Sequence, residues 1–448
     1  MSLFDLPYWM AIAFLFVFGA IVGSFLNVCI FRIQQQPGLW SALKGLWHPP
    51  SRCPRCRTDI AWYDNVPIIS WIVLRGRCRS CRMWIPVRYP AVELLNALLF
   101  VVVYWMEVPP GWPPSALTSC LYAVDGPQEV PGLGGMSVVL FLHLRYFYHL
   151  VLIEALVVAS FIDLDRREIP DASTLPAMSV GLLAALLVGR LHIVPAWSQN
   201  SRQVATFSRL IWPDWQVQTW ANVPAWFSAY PHLHGLLVSV AGLVVAGGLT
   251  WLVRLIGCWV LKREAMGFGD VILMALIGSF LGWQASILTF FLAPALALVL
   301  LPLQLFFDRD RYIPYGPYLS GAALLVILGW QPIWNGTGSW AGASRVFSLG
   351  PLLPIIFGVM LVLFVFTLML VQGVKRLFGV RDSEQEFVLE WTGADQNHYL
   401  AGENAECRDR DWTRKHWPGE CSGRGCQFED QWRFGNNGRK RPPGSATR

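Results

Sequence analysis

ALVVASFIDLDRREIPD, residues 155–171, runs through eight uncharged, mostly apolar side chains and breaks straight into Asp163-Leu-Asp-Arg-Arg. An apolar run ending abruptly in charge reads as a membrane helix reaching water. Crossing roughly 30 Å of hydrocarbon takes about 20 mostly apolar residues. Working outward on that criterion, candidate spans lie at about 9–31, 90–106, 146–162, 174–196, 235–261, 270–284, 287–306, 316–330 and 352–374. The first lacks a basic n-region and continues into GSFLNVCIFR, so it reads as a span rather than a cleavable signal peptide. The fold class expected is an all-α polytopic membrane protein of about 8–9 transmembrane helices, with a small four-cysteine, zinc-ribbon-like cytoplasmic domain.

Composition agrees. The 448 residues are 54% hydrophobic and 14% charged, against about 25% charged in soluble domains. The net charge of +6 comes from arginines clustered beside apolar segments, which sets topology rather than nucleic-acid binding, and no nucleic-acid module is visible. Residues 32–88 hold ten Arg or Lys against Asp59 and Asp64, whereas 107–135 hold none but contain Glu107, Asp125 and Glu129. The positive-inside rule therefore places 32–88 in the cytoplasm and 107–135 outside. Alternation from there puts three charged turns, at 163–167, 261–270 and 308–311, at the cytoplasmic face. Two outer stretches, 107–135 and about 197–232, are rich in Trp and Pro and read as insertions with no assigned chemistry. Residues 379–448 have the composition of a disordered cytoplasmic tail. Cys407, His416, Cys421 and Cys426 in it follow no tight ligand spacing, and no internal repeat is read.

Cys53-Pro-Arg-Cys56 and Cys78-Arg-Ser-Cys81 form two CxxC turns. Each presents two thiolates, and together they complete a closed tetrahedral zinc site that shapes a domain but leaves no open position for catalysis. A redox dithiol pair and two disulfides are the competing readings. The intervening Asp59–Trp71 segment has a strand-and-turn character.

Ionisable residues at the ends of spans are costly and point to function. Asp163 closes one apolar run; Asp270 ends Gly267-Phe-Gly-Asp270 and opens another. Two carboxyls sharing a proton are what aspartyl hydrolysis requires. Asp165 is expected to pair with Arg166 or Arg167, Asp171 to cap the next helix, and Glu154, in mid-span, to have a buried partner. His143, His149 and His192 are isolated in the sequence, with no zinc-protease spacing.

These segments, in this order, resemble the type IV prepilin peptidases. Gly23–Arg32, Ser51–Cys56, Trp62–Trp71, Arg75–Cys81 and Arg88-Tyr-Pro-Ala-Val-Glu93 are similar to the family's N-terminal part. Ile162-Asp163 with Ile169-Pro170-Asp171, Met266–Asp270 with Ile277–Trp283, and Ile313–Ser320 are similar to its membrane part. The resemblance implies a membrane aspartyl endopeptidase of a bacterial-type inner membrane, with its active site facing the cytoplasm. It would cut the leader of prepilins or pseudopilins, serving pili or type II secretion, and then methylate the new N-terminus with S-adenosylmethionine. By the same resemblance Asp163 and Asp270 are the catalytic pair, and Cys53, Cys56, Cys78 and Cys81 the zinc ligands. The methyltransferase would lie in the cytoplasmic domain, with Glu93 a candidate for methyl-donor binding. The expected organisation is a first span (1–32), the four-cysteine domain (33–89), a peptidase core (90–378) and the tail (379–448). Ala265 and Ile272 depart from the family's usual glycine and lysine. A peptidase without methyl transfer and a non-catalytic zinc-stabilised scaffold of a pilus or secretion assembly stay open.

Overall fold

The structure, a computed structural model, describes residues 7–35, 38–47, 51–53, 55–56, 58–108, 138–197, 200–211, 226–261, 266–307, 314–336 and 342–377. Among them nine long helices follow in order: α1 (Tyr8–Ile33), α2 (Arg88–Glu107), α3 (Val138–Arg166), α4 (Asp171–Val188), α5 (Pro231–Leu261), α6 (Phe268–Leu281), α7 (Trp283–Phe307), α8 (Gly316–Leu328) and α9 (Leu353–Leu377). Seven are long and apolar enough to cross a bilayer, and α6 and α8 are shorter apolar helices. The protein is an all-α, polytopic membrane protein, with a four-cysteine cluster between its first two long helices. Most of the 107–135 insertion, part of that at 197–232, the 308–311 turn, Ala265, Cys120 and the tail with Cys407, His416, Cys421 and Cys426 lie outside the described residues.

Two compact units divide the chain, one spanning Ile12–Val101 and the other built mainly from Val102 onward. In the first, α1 and α2 meet through Gly19 and Gly23, a small-residue pair four apart that lets backbones approach closely. A Cβ at Gly19 would come within 2.9 Å of the Ala97 Cα, and one at Gly23 within 2.8 Å of the Glu93 Cα. Asn96 donates to the Gly19 carbonyl (3.0 Å) and Asn27 to that of Tyr89 (3.1 Å). These bonds satisfy groups that hydrocarbon would leave unpaired.

Between α1 and α2 the chain forms two cysteine knuckles rather than a sheet. Their only pairings among the described residues are the isolated bridges Arg52–Asp59 and Arg77–Trp84. The knuckles repeat at an offset of 25 residues, contrary to the expectation of no repeat. Cys53 N–H bonds the Thr58 carbonyl as Cys78 N–H bonds that of Met83, and Ile60 N–H bonds Ser51 as Ile85 N–H bonds Gly76. The segment expected to be strand and turn is instead a 3₁₀ turn (Trp62–Asp64) and a short helix (Ile69–Val73). The bulky side chains of Trp62, Tyr63, Ile69 and Ile72 suit either state, so tertiary contacts decide.

In the second unit α6 is central and packs most closely on α5, with α4 and α7 beside it, while α8 lies between α3 and α7. From Asp270 to Leu281 nearly every α6 residue is buried. Its 14 residues span only about 21 Å, so its first turn need not cross the full hydrocarbon thickness. In contrast, α9 leaves Val362, Leu363, Phe366 and Leu370 exposed, as a lipid-facing helix should. Asp171 is the first residue of α4 and Pro170 its N-cap, a shift of one from expectation. Pro170 fits there because its φ is already suitable and its missing N–H is not needed.

Candidate functional site

Asp163 sits in the last turn of α3 and Asp270 in the first turn of α6, 5% and 8% exposed respectively. The two carboxylates are close enough to interact electrostatically, although 107 residues separate them. A third helix completes the arrangement: the Gly316 N–H, at the start of α8, donates to Asp163 Oδ2 at 2.8 Å. An N–H in the first turn of a helix has no intrahelical acceptor, so this bond satisfies an otherwise orphaned donor. The glycine is required sterically, because a Cβ at 316 would stand 2.6 Å from the same oxygen.

Ile169 packs between the elements, its side chain facing both Gly269 and Gly316. It is positioned by a tight reversal after α3, in which Arg167 adopts a positive φ of 61° and its backbone N–H donates to the Asp163 carbonyl at 2.8 Å. Burial pushes the neighbouring Glu168 carboxyl up, against the opposing pull of Arg166. Tyr315, the residue before α8, is pushed up by burial and then by the Asp270 charge, so it presents a neutral phenol beside that aspartate. The Gly267–Asp270 loop is tied to α5 by Arg254, whose Nε donates to the Met266 carbonyl (3.1 Å) while its guanidinium lies 5.8 Å from the Phe268 ring centre. Sequence reasoning missed both Tyr315 and Arg254. Asp165 is buried on α3. Ile272, where the resemblance led to the expectation of lysine, is partly buried on α6.

In the first unit the Sγ atoms of Cys53, Cys56, Cys78 and Cys81 all lie within 4.8 Å of one another. Cys53–Cys81 are 3.7 Å apart and Cys56–Cys78 4.0 Å. A tetrahedral zinc–thiolate site requires sulfur separations of about 3.8 Å, and a disulfide about 2.05 Å. The cluster therefore fits a four-thiolate metal site and leaves all four thiols unbridged. Hydrogen bonds from Thr58 pull the Cys56 thiol down to about 6, whereas burial pushes Cys53 up to about 12.

Beside the cluster lies a cavity of about 950 Å³ whose lining includes Asn27, Tyr63, Asp64, Trp71, Arg79 and Glu93. Arg79 grips Asp64 through two bonds of 2.7 and 2.6 Å, which hold that carboxyl below its ordinary range. Glu93 Oε2 accepts the Ile68 N–H at 2.7 Å.

Of the histidines read as isolated, His143 and His149 prove to have polar partners. Glu107, expected in an outer loop, is the buried last residue of α2, paired with His149 and 3.5 Å from Arg145. His143 meets the Tyr104 hydroxyl at 3.2 Å, and Glu154 lies within electrostatic range of Tyr146. The partners of His143 and His149 stand on α2, about 40 residues back, so spacing alone gave no sign of them.

Comparison with known proteins assigns the class. Residues 17–107 match the family described as Bacterial Peptidase A24 N-terminal domain, and residues 214–302 the Type IV leader peptidase family. The four cysteines and Glu93 fall in the first match, Asp270 in the second, and Asp163 between the two. A prepilin leader peptidase/N-methyltransferase of Aeromonas salmonicida (strain A449) is 30% identical over 341 residues, covering 71% of this chain and 91% of that protein. Proteins of the same description from Neisseria gonorrhoeae (28%, covering 72% and 92%) and Myxococcus xanthus (strain DK1622; 31%, covering 61% and 56%) are also similar. The chain belongs to the prepilin leader peptidase/N-methyltransferase family. No solved structure matches it.

Proposed function

We propose that the chain is an aspartyl endopeptidase that removes the leader of prepilins or pseudopilins at the cytoplasmic membrane face and then N-methylates the new terminus. What carries the peptidase reading is the meeting of Asp163 and Asp270, two buried carboxylates from separate helices. Such a pair shares one proton. In the proposed step the ionised member takes a proton from a water molecule as the water oxygen attacks the scissile carbonyl carbon. The protonated member donates to the carbonyl oxygen, and collapse of the resulting diol returns a proton to the leaving amine. The Gly316 N–H fixes the Asp163 carboxylate, and Tyr315 offers a neutral donor beside Asp270. The cytoplasmic orientation is supported by the ten basic residues of 32–88.

Zinc would be held by Cys53, Cys56, Cys78 and Cys81 in a structural role, its full thiolate shell leaving no place for substrate. For methyl transfer, the cavity beside the cluster has the volume of a small-molecule site. Tyr63 and Trp71 offer aromatic surface, and Glu93 and Asp64 offer carboxylates suited to a sulfonium cation and ribose hydroxyls. S-adenosylmethionine, when bound, supplies an electrophilic methyl group to the freed amine.

The test is processing of a co-expressed prepilin by wild type, Asp163→Asn and Asp270→Asn, with leader loss and the methyl mass read together by mass spectrometry. Both variants, folded, should fail to cut. Cleavage by either at the wild-type rate would falsify the pair. Cutting by wild type without a methyl mass would leave a peptidase alone.

A further inference from the structure

The short helix Ile69–Val73 presents a face that no described residue of its own unit covers. Ile69, Ile72 and Val73 are 60%, 62% and 68% exposed, and the only buried residue is Ser70, whose hydroxyl donates to the Tyr63 carbonyl. Water is a poor solvent for such a cluster, and the helix's attachment indicates what replaces it. Ile68 N–H bonds Glu93, and Glu93 lies five residues into α2, roughly 7–8 Å along the axis from Arg88. Because the 20 residues of α2 are about the number that fills the hydrocarbon core, Glu93 lies below the headgroups. The short helix is thus pinned beside a span at the depth of about 5–10 Å that interfacial helices reach. Leu94, Leu95 and Leu98, on the next turns of α2, are themselves exposed apolar residues.

The pinning is firm. Ile68 holds φ 61° and ψ −51°, which a β-branched residue rarely adopts, so surrounding contacts must impose it. Trp71 Nε1 donates to the Ile85 carbonyl (3.0 Å), closing the far side. The chain then leaves through the exposed Arg75 and Arg77, with Arg82 also exposed beyond the second knuckle. Apolar side chains followed at once by free-reaching cations match the acyl boundary and phosphate layer of an anionic bilayer.

We propose that Ile69–Arg82 is a lipid-interface anchor, with Ile69, Ile72 and Val73 in the acyl boundary and Arg75, Arg77 and Arg82 on anionic phospholipid phosphates. It holds the cysteine knuckles against the membrane surface independently of catalysis.

A photo-crosslinking residue placed at Ile72, and separately at exposed Ser80, in the full chain tests this in vesicles of phosphatidylcholine with or without phosphatidylglycerol. Position 72 should yield phospholipid adducts several-fold above position 80, and more in the anionic vesicles. Arg75→Gln with Arg77→Gln should remove most of the anionic preference, leaving what Arg82 supplies, since each basic residue near such a surface is worth roughly fivefold in binding. Equal adduct yields at 72 and 80 would overturn the anchor, and so would capture of a co-expressed prepilin at 72 in place of lipid. Equal yields in the two vesicle types would overturn the phosphate contacts.

Discussion

Replacing Gly316 by Ala tests whether the Asp163 carboxylate must be held where α8 holds it. The added Cβ would lie 2.6 Å from Oδ2. Restoring an ordinary contact of about 3.4 Å moves the carboxylate by roughly 0.8 Å, and a displacement near 1 Å in a reacting group costs about 10²-fold in rate. The 2.8 Å bond from Gly316 N–H is lengthened by the same shift, and a hydrogen bond to a charged group is worth about 1.5–3 kcal/mol. Both routes give a fall in kcat near 10²-fold. Stability should move little, because alanine favours the helix by about 0.5–1 kcal/mol over glycine and Gly316 does not adopt a positive φ. Gly321→Ala is the matched control on the same helix, since its Cβ would meet only the end of the Leu296 side chain, at 2.9 Å. Initial rates of leader removal would be measured in detergent with purified enzyme, beside a thermal melt. A Gly316→Ala enzyme that cuts within threefold of wild type would show that the Gly316–Asp163 contact has no part in catalysis.

Three further outcomes are expected. Purified protein should carry one zinc per chain by elemental analysis; a strong chelator or Cys53→Ser should remove it and unfold the 51–85 region, while leader cleavage falls less than methylation. Arg254→Gln should reduce kcat about tenfold by freeing the Met266 carbonyl and Phe268, and Arg254→Lys should recover only part of it, because an ammonium cannot both bond the carbonyl in plane and cover the ring. Glu107→Gln leaves Arg145 and His149 without their buried counter-charge, and losing one partner of such a pair costs about 3–5 kcal/mol; the thermal midpoint should drop by several degrees, while the folded fraction still cuts.

The spans were legible because each is a local property: a run of apolar residues long enough for the bilayer, closed by charge. Each of the nine runs read from the sequence corresponds to a long helix. The aspartates and cysteines stood out because they are polar groups where hydrocarbon or a minimal core would otherwise exclude them, and each set comes together in the fold. What escaped was contact between distant segments. Nothing near Glu107 announces His149, and nothing near Met266 announces Arg254. The knuckle repeat is a different kind of miss, for its signal was present: Arg52-Cys-Pro-Arg-Cys-Arg-Thr-Asp-Ile60 and Arg77-Cys-Arg-Ser-Cys-Arg-Met-Trp-Ile85 share Arg, Cys, Cys, Arg and Ile in register. Its 25-residue offset lies within the period of about 20–50 by which repeat architectures are sought, but two copies fall short of the three or more that such architectures need. The segment 59–71 went astray because aromatic and β-branched composition describes a half-buried surface rather than a strand.

The duplicated knuckle also bears on how the chain matures. Neither half has more than two thiols, so no half can retain a metal in a closed thiolate shell, and capture must join Cys56 to Cys78 across 22 residues. Closing such a loop costs about 2.7 kcal/mol plus a constant, small beside the 10–16 kcal/mol that structural zinc returns in isolated fingers. All four thiols precede α2 in the chain, and they leave the ribosome before any residue of the aspartate pair is made. Metal supply during synthesis would then decide whether the second span enters the membrane tied to a finished head or trailing a loose strand of arginines.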